Sequence, residues 1–267
     1  MPSPPGSGSA IAGTFDVGAG RKLYLECSGG EGPTIVMVLA GSDDVPPARD
    51  QLADQPMKSI GQVCAYDRAN LGSSDPIPGP RTITDLANDL VTLVHVAKVP
   101  GPYVFVGGSF GGNLVGVLAA DHPEDVAGIV FVDSDPATAD LKLDPLRKNL
   151  PAKTYKECCA PGNLPAFDAA DNVEHIDWKG GFAAELASVH HLPKVPTIVL
   201  TAAHPDCAPD WPCAAIAKDE ARNQAEWIKG NPRGSQKLID SGHVMPRDAP
   251  QAILDATKTV VMEVRAQ

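Results

Sequence analysis

The sequence predicts an α/β architecture, a mostly parallel sheet with helices on both faces. Three observations lead there. Apolar runs of strand length alternate with stretches of helical periodicity along most of the chain. The central runs are apolar throughout, which is how strands buried on both faces read. Ser109, Asp133, Asp206 and His243 all fall just after strand runs. That is the edge at which ligands bind in such sheets.

The elements follow in order. Ile11 to Val17 and Arg21 to Cys27 alternate as a hairpin around Gly18-Ala19-Gly20. Thr34 to Ala40 is an unbroken apolar strand, and a poorly marked helix is expected over Pro47–Ser59. Gln62 to Tyr66 is the next strand, followed by a polar, proline-rich loop from Asp67. Thr82 and Asp85 form a capping-box pattern ahead of Leu86, Leu90, Leu93, Val94 and Ala97 at helical spacing. Tyr103 to Val106 is a strand, Gly107 and Gly108 end it, and Asn113 to Ala120 is a helix closed by Pro123. Val126 to Asp133 is a buried strand. From Ser134 to Lys194 the rhythm breaks, and this segment of about sixty residues reads as an inserted lid. Strands at Val195–Thr201 and Gly234–Asp240, with helices at Ala214–Lys229 and Ala249–Arg265, complete the core. The expected division is a disordered segment over 1–10, a core over 11–133 and 195–267, and a lid over 134–194.

Composition narrows the function classes. The 267 residues carry a net charge of −11. Nucleic acid and anionic membrane surfaces need a basic face, so neither is expected as a partner. No apolar run approaches the roughly 20 residues of a membrane helix. Six cysteines stand at 27, 64, 158, 159, 207 and 213, with no zinc spacing among them. Their even number leans toward disulfides and a secreted or periplasmic setting.

The chemistry centres on Gly107-Gly108-Ser109-Phe110-Gly111, a G-x-S-x-G pattern between a strand and a helix. The tight turn thrusts the serine hydroxyl above the sheet edge, and its glycines keep Cβ atoms away from the neighbouring elements. A serine hydroxyl needs a base to take its proton and a carboxylate to orient that base. Of seven histidines, His243 in Ser241-Gly242-His243 occupies the loop from which a base reaches Ser109. Asp133, Asp206 and Asp210 all precede it and keep the order serine, acid, histidine. The oxyanion donors expected are the backbone N–H of Phe110 and, from the loop after the Thr34–Ala40 strand, that of Ser42. No metal or organic cofactor is indicated, because the glycine-rich turn lacks the Lys-Ser/Thr of a phosphate loop.

From about Phe15 onward these residues resemble the α/β-hydrolase superfamily, and most of all a group of bacterial serine hydrolases. The likeness lies in Val63-Cys64-Ala65-Tyr66-Asp67-Arg68, Gly101-Pro102-Tyr103-Val104, Val126 to Asp133 and Ser241-Gly242-His243. It implies an eight-stranded sheet, a lid after the sixth strand and a Ser–His–acid triad at Ser109 and His243. In that group an Asp ending the sixth strand can serve as the acid, which puts Asp133 level with Asp206. The resemblance also makes the second and fourth strands neighbours, so that Cys27 and Cys64 face each other within bridging distance. Cys213 and Cys207 then pair with each other, or one of them pairs with Cys158 or Cys159 and ties lid to core. The activity implied is hydrolysis of a small-molecule carboxylic ester. The alternatives are a lactone, thioester, amide or peptide substrate on the same triad, or a non-catalytic small-ligand binder. Gly108 and Ala40-Gly41-Ser42 depart from the family's frequent His and His-Gly at those positions. The shape of the substrate therefore does not carry over.

Overall fold

The computed structural model describes residues 10–38, 46–52, 55–136, 172–177, 189, 191–205 and 212–267. Eight strands form one sheet: β1 (Ile11–Asp16), β2 (Lys22–Gly29), β3 (Ile35–Val38), β4 (Gln62–Tyr66), β5 (Tyr103–Gly108), β6 (Val126–Val132), β7 (Thr197–Ala202) and β8 (Gly234–Ile239). Their spatial order is β1-β2-β4-β3-β5-β6-β7-β8. β1 and β2 form the expected antiparallel hairpin, β2 runs antiparallel to β4, and every later pairing is parallel. This is the α/β-hydrolase arrangement that the sequence resemblance implies.

Strand parity divides the interior in two. Along β5, Tyr103 and Phe105 point to one face and Val104 and Val106 to the other. The first face meets α2 (Ile83–Val96) through Leu86, Leu90 and Leu93, and α3 (Phe110–Asp121) through Leu114 and Leu118. The second meets α6 (Pro250–Arg265) through Ile253, Ala256, Val260 and Val261. Full burial of each such aliphatic or aromatic side chain stabilises the fold by about 1.5–3 kcal/mol. The capping box forms: Thr82 Oγ1 accepts from Asp85 N–H at 3.0 Å, and Asp85 Oδ2 accepts from Thr82 N–H at 2.9 Å.

Helix boundaries depart from the periodicity where proline intervenes. The expected Pro47–Ser59 helix is a short α1 (Ala48–Leu52) and a separate 3₁₀ turn, Pro56–Ser59. Gln55, just before Pro56, is extended at φ −71° and ψ 111°, because the proline ring disfavours a helical residue ahead of it. A short α5 (Met245–Asp248) precedes α6, and Ala249, just before Pro250, is non-helical in the same way. The expected Ala214–Lys229 helix is α4 (Cys213–Gln224), tightened to a 3₁₀ turn over Ala225–Ile228. That turn buries Trp227, which stacks on Phe131 with ring centroids 4.4 Å apart.

Cys27 and Cys64 face each other across β2 and β4 and are joined as a disulfide. Cys213 is also disulfide-bonded, its partner lying outside the described residues. Most of the 134–194 stretch expected as a lid, and residues 1–9 of the expected disordered segment, likewise lie outside them. Residues 172–177 are described, and they dock on the core. Arg81 N–H donates to His175 O at 2.7 Å, and Asp177 N–H to Arg81 O at 2.8 Å. Glu174 accepts from Arg68 Nε at 2.5 Å and from Nη2 at 2.8 Å, with both side chains buried.

Candidate active site

Ser109 sits between the last residue of β5 and the first of α3. Its backbone is at φ 50° and ψ −123°, a region that costs a residue with a Cβ about 1–3 kcal/mol. Neighbouring structure imposes the conformation. Ser109 N–H donates to Val132 O on β6 at 2.9 Å, and Gly112 N–H donates to Ser109 O at 2.9 Å. The crossing is so close that a Cβ on Gly107 would lie 2.7 Å from Gly112 Cα, and one on Gly112 would lie 2.5 Å from Ser134 Cβ. The glycine-rich sequence is therefore a steric requirement of the turn that aims the serine.

His243 enters from the loop after β8. Its Nδ1 lies 2.7 Å from Asp133 Oδ2 and its Nε2 lies 3.1 Å from Ser109 Oγ. An ionised carboxylate can only accept, so Nδ1 carries the proton. Nε2 then presents a lone pair to the serine O–H. The acid is nearly enclosed, with 10 % of its side chain exposed, whereas the imidazole is 45 % exposed.

Asp133 follows β6 directly, at φ 44°. Its N–H donates to Leu200 O at 2.8 Å, which fixes it to β7. Its Oδ1 accepts from Ala202 N–H at 2.9 Å and from Gln224 Nε2 at 3.0 Å. Burial alone would raise the carboxyl's pKa. The hydrogen bonds from His243, Ala202 and Gln224 outweigh burial and hold it below the ordinary carboxylate value. The arrangement can thus keep a charged acceptor behind the ring, and a ring nitrogen able to take a proton in front of it.

The other expected residues fall as follows. Phe110 begins α3 next to Ser109, its ring 5.6 Å from the Arg68 guanidinium. Ser42, Asp206 and Asp210 lie outside the described residues. His204 places Nε2 2.5 Å from Asp240 Oδ1, and its backbone N–H donates to Ser241 O at 3.1 Å. His95 and His122 bond to Asp125 at 2.8 Å and Asn88 at 3.0 Å respectively. His122, Glu124 and Asp125 are the only metal-ligand-type group gathered within 4.8 Å among the described residues. They precede β6, about 20 Å from the end that bears Asp133. Sequence reasoning missed Gln224 and the Arg68–Glu174 pair. Neither carries a local signal, since a polar residue turned inward reads like its solvent-facing neighbours.

The family described as alpha/beta hydrolase fold matches residues 39–157. An uncharacterised protein of Schizosaccharomyces pombe is 41% identical over 73 residues, 27% of this chain and 14% of its own length. The human mitochondrial palmitoyl-protein thioesterase ABHD10 is 28% identical over 139 residues, 51% of this chain and 44% of its own. The chain thus spans less than half the length of either relative. A thermophilic esterase from Thermogutta terrifontis shares the fold at a TM-score of 0.61 and 18% identity, covering 96% of this chain and 99% of that one. Strand order, the family match over 39–157 and the structural likeness agree on one architecture: this chain has the α/β-hydrolase fold.

Proposed function

We propose that the chain is a serine hydrolase that cleaves a small-molecule carboxylic ester through an acyl-enzyme. Ser109 is the nucleophile, His243 the general base and Asp133 the acid that orients it. The observation that carries this reading is the single imidazole within hydrogen-bond distance of both Asp133 and Ser109. Ser109 Oγ attacks the carbonyl carbon while His243 Nε2 takes its proton. The imidazolium that forms is stabilised by Asp133 and returns the proton to the leaving alcohol. A water molecule, deprotonated by the same ring, then attacks the acyl-serine and releases the acid. The oxyanion is met by the N–H of Phe110 at the start of α3 and by that of Ser42, each such donor lowering the barrier by about 3 kcal/mol. No metal or organic cofactor takes part in this scheme.

Thioester cleavage is the second reading, favoured by the thioesterase named among the relatives. It uses the same groups with a thiolate as leaving group. Among the described residues no helix is long and apolar enough to cross a membrane. The bonded Cys27–Cys64 pair and the bonded Cys213 favour an oxidising setting outside the cytoplasm.

A fluorophosphonate probe tests the chemistry. Wild type takes the label and Ser109→Ala does not. Labelling that persists in Ser109→Ala rejects the assignment. Ester, thioester and amide forms of one acyl group then rank the substrates, with the oxygen ester expected to turn over fastest.

A further inference from the structure

Behind Asp133 lies a file of buried polar side chains that the reaction scheme does not use. Gln224, at the end of α4, is 1% exposed, and Thr201, on β7, is wholly buried. Gln236, on β8, stands beside them. The contacts run in one line: Gln236 Nε2 to Thr201 Oγ1 at 2.9 Å, Thr201 Oγ1 to Gln224 Oε1 at 2.7 Å, and Gln224 Nε2 to Asp133 Oδ1 at 3.0 Å. From Asp133 the line continues to His243 at 2.7 Å and Ser109 at 3.1 Å.

The direction of every bond is forced from its two ends. The Asp133 carboxylate only accepts, so Gln224 must turn its NH₂ toward it and its oxygen toward Thr201. Thr201 must then spend its single proton on that oxygen and keep lone pairs for Gln236. Gln236 Nε2 also meets Ala221 O at 2.7 Å, and a carbonyl can only accept. Both tests give the same amide orientations. No second arrangement satisfies all of these groups, so the file has one state. A buried carboxylate held by one side chain alone could rotate about its Cβ–Cγ bond. Asp133 is instead held at Oδ1 by two donors and at Oδ2 by the ring.

We propose that Gln224, itself set by Thr201 and Gln236, is a positioning residue. It locks the Asp133 carboxylate in the rotation that points the second oxygen at His243 Nδ1. This rests on the triad reading above, and it adds residues that never touch substrate. It also gives α4 a role in the site, although α4 carries none of the reacting groups.

The test compares wild type with Gln224→Leu, Thr201→Val and Thr201→Ser. Three readouts are taken: the far-downfield proton resonance of the imidazole N–H held by Asp133, the rate of fluorophosphonate labelling, and kcat and KM on a p-nitrophenyl ester. In Gln224→Leu the resonance broadens or disappears, and kcat and labelling fall together by about 10–100-fold while KM changes little. Thr201→Val shows a smaller loss of the same kind, and Thr201→Ser, which keeps the hydroxyl, restores wild-type behaviour. The Thr201 pair carries the test if Gln224→Leu does not fold. The proposal is overturned if the resonance and labelling rate are at wild-type values in Gln224→Leu or, where that does not fold, in Thr201→Val. It is equally overturned if only KM or thermal stability moves. The resonance needs no turnover, so the two readings can fail separately. A wild type that takes no label, yet loses the resonance in Gln224→Leu, sinks the hydrolase and keeps the positioning role.

Discussion

Asp133 accepts from Ala202 N–H, Gln224 Nε2 and His243 Nδ1, and these bonds make part of the fold's stability depend on pH. Its folded pKa lies below its ordinary value, so the bonds it accepts stabilise the folded state above the unfolded pKa. That stabilisation is lost as pH falls through the folded value. Wild type therefore loses stability below about pH 4, and Asp133→Asn, which has nothing to protonate there, loses less over the same window. Urea midpoints at about pH 5 and pH 3 check this. In the same variant the amide cannot hold the ring in the required tautomer, and kcat is expected to fall by roughly 10³–10⁴-fold with a small change in KM. Within the proposed triad, Ser109 and His243 were the legible residues, because turn chemistry and chain order mark them. Asp133 could not be separated from Asp206, since both follow strands and only three-dimensional placement decides which meets an imidazole. Gln224 was invisible, one polar residue in a helix that has many.

The elements were legible wherever burial on both faces had removed polar residues from a strand, as in β5 and β6. They were less so where proline cut a periodic stretch, at Pro56 and Pro250. The 172–177 segment was beyond reach: its residues are ordinary loop residues, and only the docked structure pairs Glu174 with Arg68. That pair clamps the segment against the loop after β4, beside the first turn of α3. Glu174→Ala takes the carboxylate away from a buried guanidinium, and a loss of about 3–5 kcal/mol is expected in urea unfolding. Replacing both partners by methionine removes the uncompensated charge and should recover most of it. A double variant as unstable as the single one would mean that shape, not charge, makes the clamp.

Over the whole molecule, strand order followed from alternation together with the family resemblance, and the Cys27–Cys64 bond followed from strand order. The bond joins positions 37 residues apart. By the chain-entropy relation such a link stabilises the fold by about 4 kcal/mol, through the disorder it removes from the unfolded chain. Cys27→Ala with Cys64→Ala should lower the urea midpoint accordingly while leaving fluorophosphonate labelling of the folded protein intact. The groups of the proposed triad, by contrast, come from far apart in the chain, His243 lying 110 residues beyond Asp133 and 134 beyond Ser109. Synthesis proceeds from the amino end. A growing polypeptide therefore carries the Ser109 alcohol through 134 further residues of synthesis before the His243 imidazole exists, and a ribosome that stalls in that interval releases a chain in which the two can never meet.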